Sequence, residues 1–252
     1  MRLDIPTDTG GSIPARADAF RTTDWSMVLG AGSGEPAAAE AALARLCGTY
    51  WYPLYAFVRG RGHTAHDAQD LTQSFFVHLL DGNILSTADR RKGKFRSFLL
   101  SSIKNFLAND WDRKHTAKRG GRYSFVSWDD ETPENLYQRS AHEQRTPEQA
   151  FERNWASVVL ETVHKSLKAE YIAMEKGRLF ELLEACVSGD KLEVSYAALG
   201  KQLGMTEGAM KMAALRLRKR YREILRMEIA STVATEKEVD EEIGCLVAAL
   251  TN

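Results

Sequence analysis

Val194–Arg226 reads VSYAALGKQLGMTEGAMKMAALRLRKRYREILR. Ser195 is placed to cap a short helix in which Ala198, Leu199 and Leu203 recur at helical spacing, and Gly204 follows where a left-handed residue ends a helix. Thr206 opens a second helix. Its buried face is expected to be Ala209, Met210, Ala213, Leu217 and Ile224, which leaves Lys211, Arg216, Arg218, Lys219, Arg220, Arg222 and Arg226 to reach solvent or phosphate. Two helices joined by a Gly-containing turn, the second one basic, predict a helix-turn-helix with a recognition helix. A basic amphipathic helix alone is usually a solvated face. The cap, the small residue Ala209 and the Gly204 turn at compatible spacing carry the DNA-binding reading.

Working outward, the 252-residue chain is long enough for two small domains or one large one, and 44% hydrophobic with 27% charged residues is ordinary for a soluble protein. Its formal net charge is zero. Cys47, Cys186 and Cys245 are scattered and lack metal-ligand spacing, so they read as small buried hydrophobes in a reducing cytosol. No apolar run approaches the roughly 18 residues of a membrane span, and no secretory leader is evident, so a cytoplasmic protein without membrane insertion is expected.

Along the chain, residues 1–22 read as a flexible arm rich in Gly, Pro, Asp and Thr. A first helical domain is expected over 23–122. It starts with a helix around Trp25–Leu29 and continues with a long periodic stretch through Ala42, Leu46, Tyr50, Leu54 and Val58 that Pro53 bends or divides. A helix opened by His63 or Thr64 and stopped by Gly82 has Ala68, Leu71, Phe75, Phe76 and Leu79 as its core face and Asp67, Asp70 and Gln73 on the other. His63, His66, Asp67 and Asp70 are the residue types of a metal site, but a site needs ligands converging from a second element and none is evident nearby; no metal, cofactor or catalytic residue is expected. In Leu85–Arg122 eleven Lys and Arg oppose three Asp, a local charge of +8 and a second nucleic-acid footprint. Phe95, Phe98, Leu99, Ile103, Phe106 and Leu107 have core spacing there. Arg90, Arg91, Lys92 and Lys94 lie in a basic loop, and Asn105, Asn109, Trp111 and Arg113 are candidates for polar or stacking contacts.

Between Ser127 and Glu152 seven carboxylates face two arginines, a local charge of −5, with Pro133 and Pro147 breaking the pattern. An extended acidic linker, bounded at 123–147, therefore precedes a second helical domain at 148–229 that starts behind Thr146 and runs through Trp155, Val159, Val163 and Leu167. An acidic helical extension over 230–252 has Val239, Ile243, Leu246, Val247 and Leu250 on one stripe and is expected to pack in cis.

Two blocks resemble a known family. The stretch Asp67-Ala-Gln-Asp70-Leu-Thr-Gln73 followed by Phe75-Phe76, with the helix from Lys94 through Asn105 to Arg113, resembles region two of extracytoplasmic-function RNA polymerase sigma factors. Ser195–Lys211 followed by Arg216–Leu225 is similar to their region four. The resemblance covers most of Leu43–Arg226 and implies an all-α fold of two helical domains on a flexible acidic linker. It implies that Asp67, Asp70, Leu71 and Gln73 dock on the β′ clamp of bacterial core RNA polymerase. Arg90, Arg91, Lys92, Lys94, Asn105, Asn109 and Arg113 would hold unpaired promoter −10 DNA. Thr206, Glu207 and Lys211 would lie near −35 base edges, with Arg216, Arg218, Lys219 and Arg220 on phosphates or in packing. The linker would run towards the RNA exit channel beside the β subunit, its carboxylates imitating phosphates. Further candidate partners are an anti-sigma factor and a regulatory kinase acting at Thr64 or Thr72.

The chain departs from the family in having Met212-Ala213 where many relatives carry Ser-Arg, which leaves the −35 sequence open. The terminal extensions lie outside the resemblance and are candidates for a built-in regulatory element. Two other classes stand beside the sigma-factor reading. A helix-turn-helix regulator independent of polymerase leaves the Asp67/Asp70/Gln73 face without a role, and a metal-dependent enzyme built on Asp67 and Asp70 would lose stability in chelator.

Overall fold

The computed structural model describes residues 36–81, 94–114, 132–140, 145–188, 194–233 and 235–251. The N-terminal arm, the helix expected around Trp25–Leu29, Arg90, Arg91 and Lys92, and residues 115–131 lie outside them. Among the described residues the chain is helical and has no strand. The elements are α1 (Pro36–Gly60), α2 (Ala65–Asp81), α3 (Phe95–Lys114), α4 (Pro133–Ser140), α5 (Pro147–Ala173), α6 (Gly177–Leu183), α7 (Ala185–Ser188), α8 (Tyr196–Leu203), α9 (Glu207–Ala230) and α10 (Glu236–Thr251).

Pro53 does not divide α1. The helix runs through it, because Tyr50 to Val58 is buried without a break and a helix enclosed on all sides is held by its neighbours. That burial outweighs the roughly 3 kcal/mol that an interior proline costs locally. Against α1 pack α2 through Ala68, Leu71, Phe75, Phe76 and Leu79, and α3 through Phe95, Leu99, Ile103 and Leu107. These are the core faces the spacing predicts, with Phe98 and Phe106 half-buried at the edge.

The linker expectation meets a different structure in its described part. Pro133–Ser140 is a helix, and Glu134 fastens it to α1: its carboxylate accepts from Arg59 at 2.7 and 2.8 Å and from the Tyr55 hydroxyl at 2.5 Å. α5 then begins where Thr146 predicts, in a full capping box. Thr146 Oγ1 accepts from the Gln149 amide at 3.2 Å, and Gln149 Oε1 accepts from the Thr146 amide at 3.0 Å.

With 27 residues α5 spans about 40 Å, and it serves two cores. Phe151, Trp155, Ala156 and Val159 join the cluster built on α1, α2 and α3, whereas Val163 and Leu167 join a second cluster with Phe180, Leu183, Leu199, Met210 and Leu217. The boundary expected at 147/148 thus falls inside the first turn of a helix whose first half packs with the domain before it. α9 shows the same division, with Met210, Ala214, Leu217 and Ile224 in the second cluster and Ile229 in the first. α10 packs in cis through Val239 and Leu246; Val247, expected on the same stripe, is 52% exposed.

Candidate nucleic-acid interface

The helix-turn-helix assembles from local chemistry. Ser195 Oγ accepts from the Ala198 amide at 3.3 Å, and Gly204 ends α8 at φ 65°, a left-handed conformation costly for other residues. Thr206 then caps α9, its hydroxyl accepting from the Ala209 amide at 3.2 Å. The close approach of the two helices depends on a residue the sequence reading passed over. Gly200 is buried, and a Cβ there would lie 2.5 Å from the Met205 carbonyl oxygen and 3.3 Å from Met210 Cγ. Its signal was a glycine inside a helix beside Leu199, at a site where it costs roughly 1 kcal/mol of helix propensity.

The buried stripe of α9 is Met210, Ala214, Leu217 and Ile224. Ala209 is exposed and Ala213 only half-buried, because the cap at Thr206 fixes the phase so that Met210 meets Gly200 and Ala214 follows one turn later. The expected contact residues separate into two groups. Thr206 and Glu207 sit at the start of the helix, and Lys211 extends into solvent while pairing with Glu207 at 2.6 Å. The Glu207 hydrogen bond raises the pKa of Lys211, so it remains a cation. Arg216 and Lys219 are exposed, as is Arg222.

Arg218 and Arg220 are turned to structural work instead. Arg218 donates to the Cys186 carbonyl at 3.3 Å and to the Tyr196 hydroxyl at 3.4 Å, tying α9 to α7 and to the first residue of α8. Arg220 holds Glu170 on α5 by two bonds, at 2.6 and 2.8 Å, and reaches Glu223 at 3.1 Å. This contact depresses the pKa of Glu170 and raises that of Arg220. Between the start of α6 and α9 an open groove of about 660 Å³ is bordered by Leu179, Leu203, Met205 and Met212.

On the first cluster, Asp67 and Asp70 are exposed and Gln73 half-exposed on the outer side of α2. Thr64 forms the N-cap: it accepts from the Asp67 amide at 3.1 Å and donates to the Asp67 carboxylate at 2.8 Å. Leu71 faces the opposite way. It is 4% exposed in the core, where it positions the acidic face rather than presenting a contact of its own. Thr72 is fully buried and donates to the Ala68 carbonyl at 2.7 Å, which leaves Thr64 as the accessible hydroxyl of the two. Among the described residues no group of three or more His, Cys, Asp and Glu is placed to hold a metal ion. No helix among them is long and apolar enough to cross a membrane.

Asn105 and Asn109 are exposed one turn apart on α3, and Arg113 falls in its last turn. Lys94, at the foot of that helix, is engaged within the chain. Its ammonium lies 2.6 Å from Glu242 and 3.2 Å from Cys245 Sγ, both on α10. The same carboxylate, 2% exposed, accepts from Arg96 Nε at 2.5 Å and Nη2 at 3.2 Å. Arg96 also pairs with Glu152 and lies over the Trp155 ring at 4.6 Å. Glu242 was legible only in hindsight: it stands three residues after Val239 and four before Leu246, a carboxylate on the apolar stripe of an otherwise conventional acidic helix. No family model, no curated protein and no solved structure matches the chain.

Proposed function

We propose that the chain is a promoter-specificity subunit of bacterial RNA polymerase, of the extracytoplasmic-function sigma type. The observation that carries the reading is a single helical chain with a capped helix-turn-helix, whose second helix turns Lys211, Arg216, Lys219 and Arg222 outward, and with an exposed Asp67/Asp70/Gln73 face on a separate cluster. The cationic helix has the charge and width to enter a major groove. The acidic face matches the residues that meet the polymerase clamp in the family the sequence resembles. Melting a promoter needs no bond-making chemistry from the protein: capture of extruded bases and neutralised phosphates offset an unstacking cost of about a few kcal/mol per step.

In this reading α10 has a regulatory place. Glu242 occupies Lys94 and Arg96 at the foot of the helix that would hold the open strand, so the C-terminal extension competes with DNA phosphate for the same cation. That contact is also what favours the second reading, a DNA-binding regulator that works without polymerase, because it withdraws Lys94 from DNA while leaving the helix-turn-helix free.

Run-off transcription with sigma-free bacterial core polymerase on genomic fragments tests the choice. Defined transcripts that require the chain and vanish with Asp70→Arg are expected. DNA binding with neither transcription nor co-purifying core polymerase would select the regulator instead.

A further inference from the structure

The solvent face of α9 is not uniformly charged. Met212 is 49% exposed and Leu215 54% exposed, three residues apart on one side of a helix whose other outward positions include Lys211, Arg216, Lys219 and Arg222. At 100° per residue Met212 lies nearly opposite the buried stripe of Met210, Ala214 and Leu217, so it stands near the centre of the outward face with Leu215 beside it. One turn nearer the N-terminus the same face carries Gly208, and a Cβ there would meet nothing within 4 Å. Packing does not require that glycine. It costs the helix roughly 1 kcal/mol and keeps the surface low at the end where a recognition helix enters its groove.

Two apolar side chains flanked by cations, behind a bare patch of backbone, match one ligand surface. The phosphates answer the cations, and the apolar feature that the major groove offers is the thymine C5-methyl group. We infer that Met212 and Leu215 read thymine methyls in the duplex bound by α9, and that Gly208 allows the helix to sit close enough for them to do so. The inference rests on the DNA-binding reading above and adds the base it prefers. Met212 supplies a flexible, polarizable thioether able to follow a methyl group, and Leu215 a fixed branched one.

The test uses the full chain, alone and mixed with bacterial core polymerase, to select duplexes from a randomised double-stranded library. The enriched duplex is then resynthesised with deoxyuridine replacing thymine one position at a time, which removes the methyl group and nothing else. Affinity is expected to fall about fourfold at one or two positions, the change equivalent to about 0.8 kcal/mol for one buried methylene. Met212→Ala or Leu215→Ala should each abolish the thymine-to-uracil difference at one position while still binding the uracil duplex. Met212→Gln and Leu215→Gln, polar and of similar length, should do the same, and both side chains are exposed enough for the variants to stay folded. Equal affinity for thymine and uracil at every position overturns the inference alone. Loss of polymerase association in Met212→Ala without any methyl effect overturns it in favour of a protein partner on this face. No enriched duplex with or without polymerase overturns the DNA-binding reading together with it.

Discussion

The two clusters of this molecule use their cations in opposite ways. In the cluster built on α1, α2 and α3, Arg96 and Lys94 are drawn in under α10, where Glu242 holds both and Glu152 and the Trp155 ring hold Arg96 as well. In the helix-turn-helix cluster the core is apolar, and the charges sit at its rim or in solvent. Both regions look alike as sequence, since each is a helix dense in Lys and Arg. The difference lies in whether a carboxylate from elsewhere in the chain reaches the cation first. A buried ion pair adds little net stability over a well-packed apolar pair, but breaking it is costly, so the first cluster specifies where α10 must lie. The second is specified by turn geometry and close packing.

The largest effect is expected from attacking the buried ions. Glu242→Ala leaves Arg96 and Lys94 enclosed with one acceptor fewer and should destabilise the fold by about 3–5 kcal/mol in urea denaturation, a cost set by the uncompensated charge. If the change is under about 1 kcal/mol, α10 is not locked by this pair and the contrast between the clusters fails. Gly200→Ala probes the other side. Its methyl group would meet the Met205 carbonyl, a backbone atom with little room to yield, and should cost about 1–3 kcal/mol while weakening DNA binding. Unchanged stability would mean that the turn tolerates a wider crossing of α8 and α9.

A smaller effect separates the cations of α9 from one another. Arg220→Ala should cost up to about 1 kcal/mol, because Arg220 and Glu170 are both about one-third exposed and solvent screens much of the pair. Lys219→Ala should leave stability within about 0.5 kcal/mol and reduce the salt dependence of DNA affinity by about one unit of slope. If the two variants behaved alike, the division into structural and DNA-facing cations would be wrong.

The smallest and most local effect concerns pH. The Arg59 guanidinium, helped by Tyr55 and Gln138, lowers the Glu134 carboxyl to about 2. A carboxyl with a depressed folded pKa contributes stability in full above its unfolded value of about 4.3, and loses it as pH falls towards the folded value. The docking of α4 on α1 should therefore weaken between about pH 4.5 and 2, followed by hydrogen exchange in Pro133–Ser140. Glu134→Gln should show weak docking already at neutral pH and no such acid transition.

Much of this architecture was legible because its causes are local. Thr146 with Gln149, Ser195 with Gly204, and Thr206 each place a helix end by hydrogen bonds within three or four residues, and the spacing of Ala68, Leu71, Phe75, Phe76 and Leu79 reports a core face directly. The candidate site was legible to the same depth. The exposed positions Asp67, Asp70, Lys211 and Lys219 and the buried Leu71 follow from helical phase, while phase leaves open whether Arg218 and Arg220 meet phosphate or pack, because it says nothing of what stands opposite.

By itself, then, the sequence determined the helical character of the described residues, the caps and turn of the helix-turn-helix, and which stripe of most helices is apolar, since each depends on residues one or two turns apart. Only the tertiary structure decided that α1 continues through Pro53, that α5 belongs to two cores, that Pro133–Ser140 docks instead of extending, and that Glu242 claims Lys94 and Arg96. Those outcomes rest on partners up to about 150 residues away in the chain, whose energies of burial and charge pairing exceed the local preferences and leave no periodic trace.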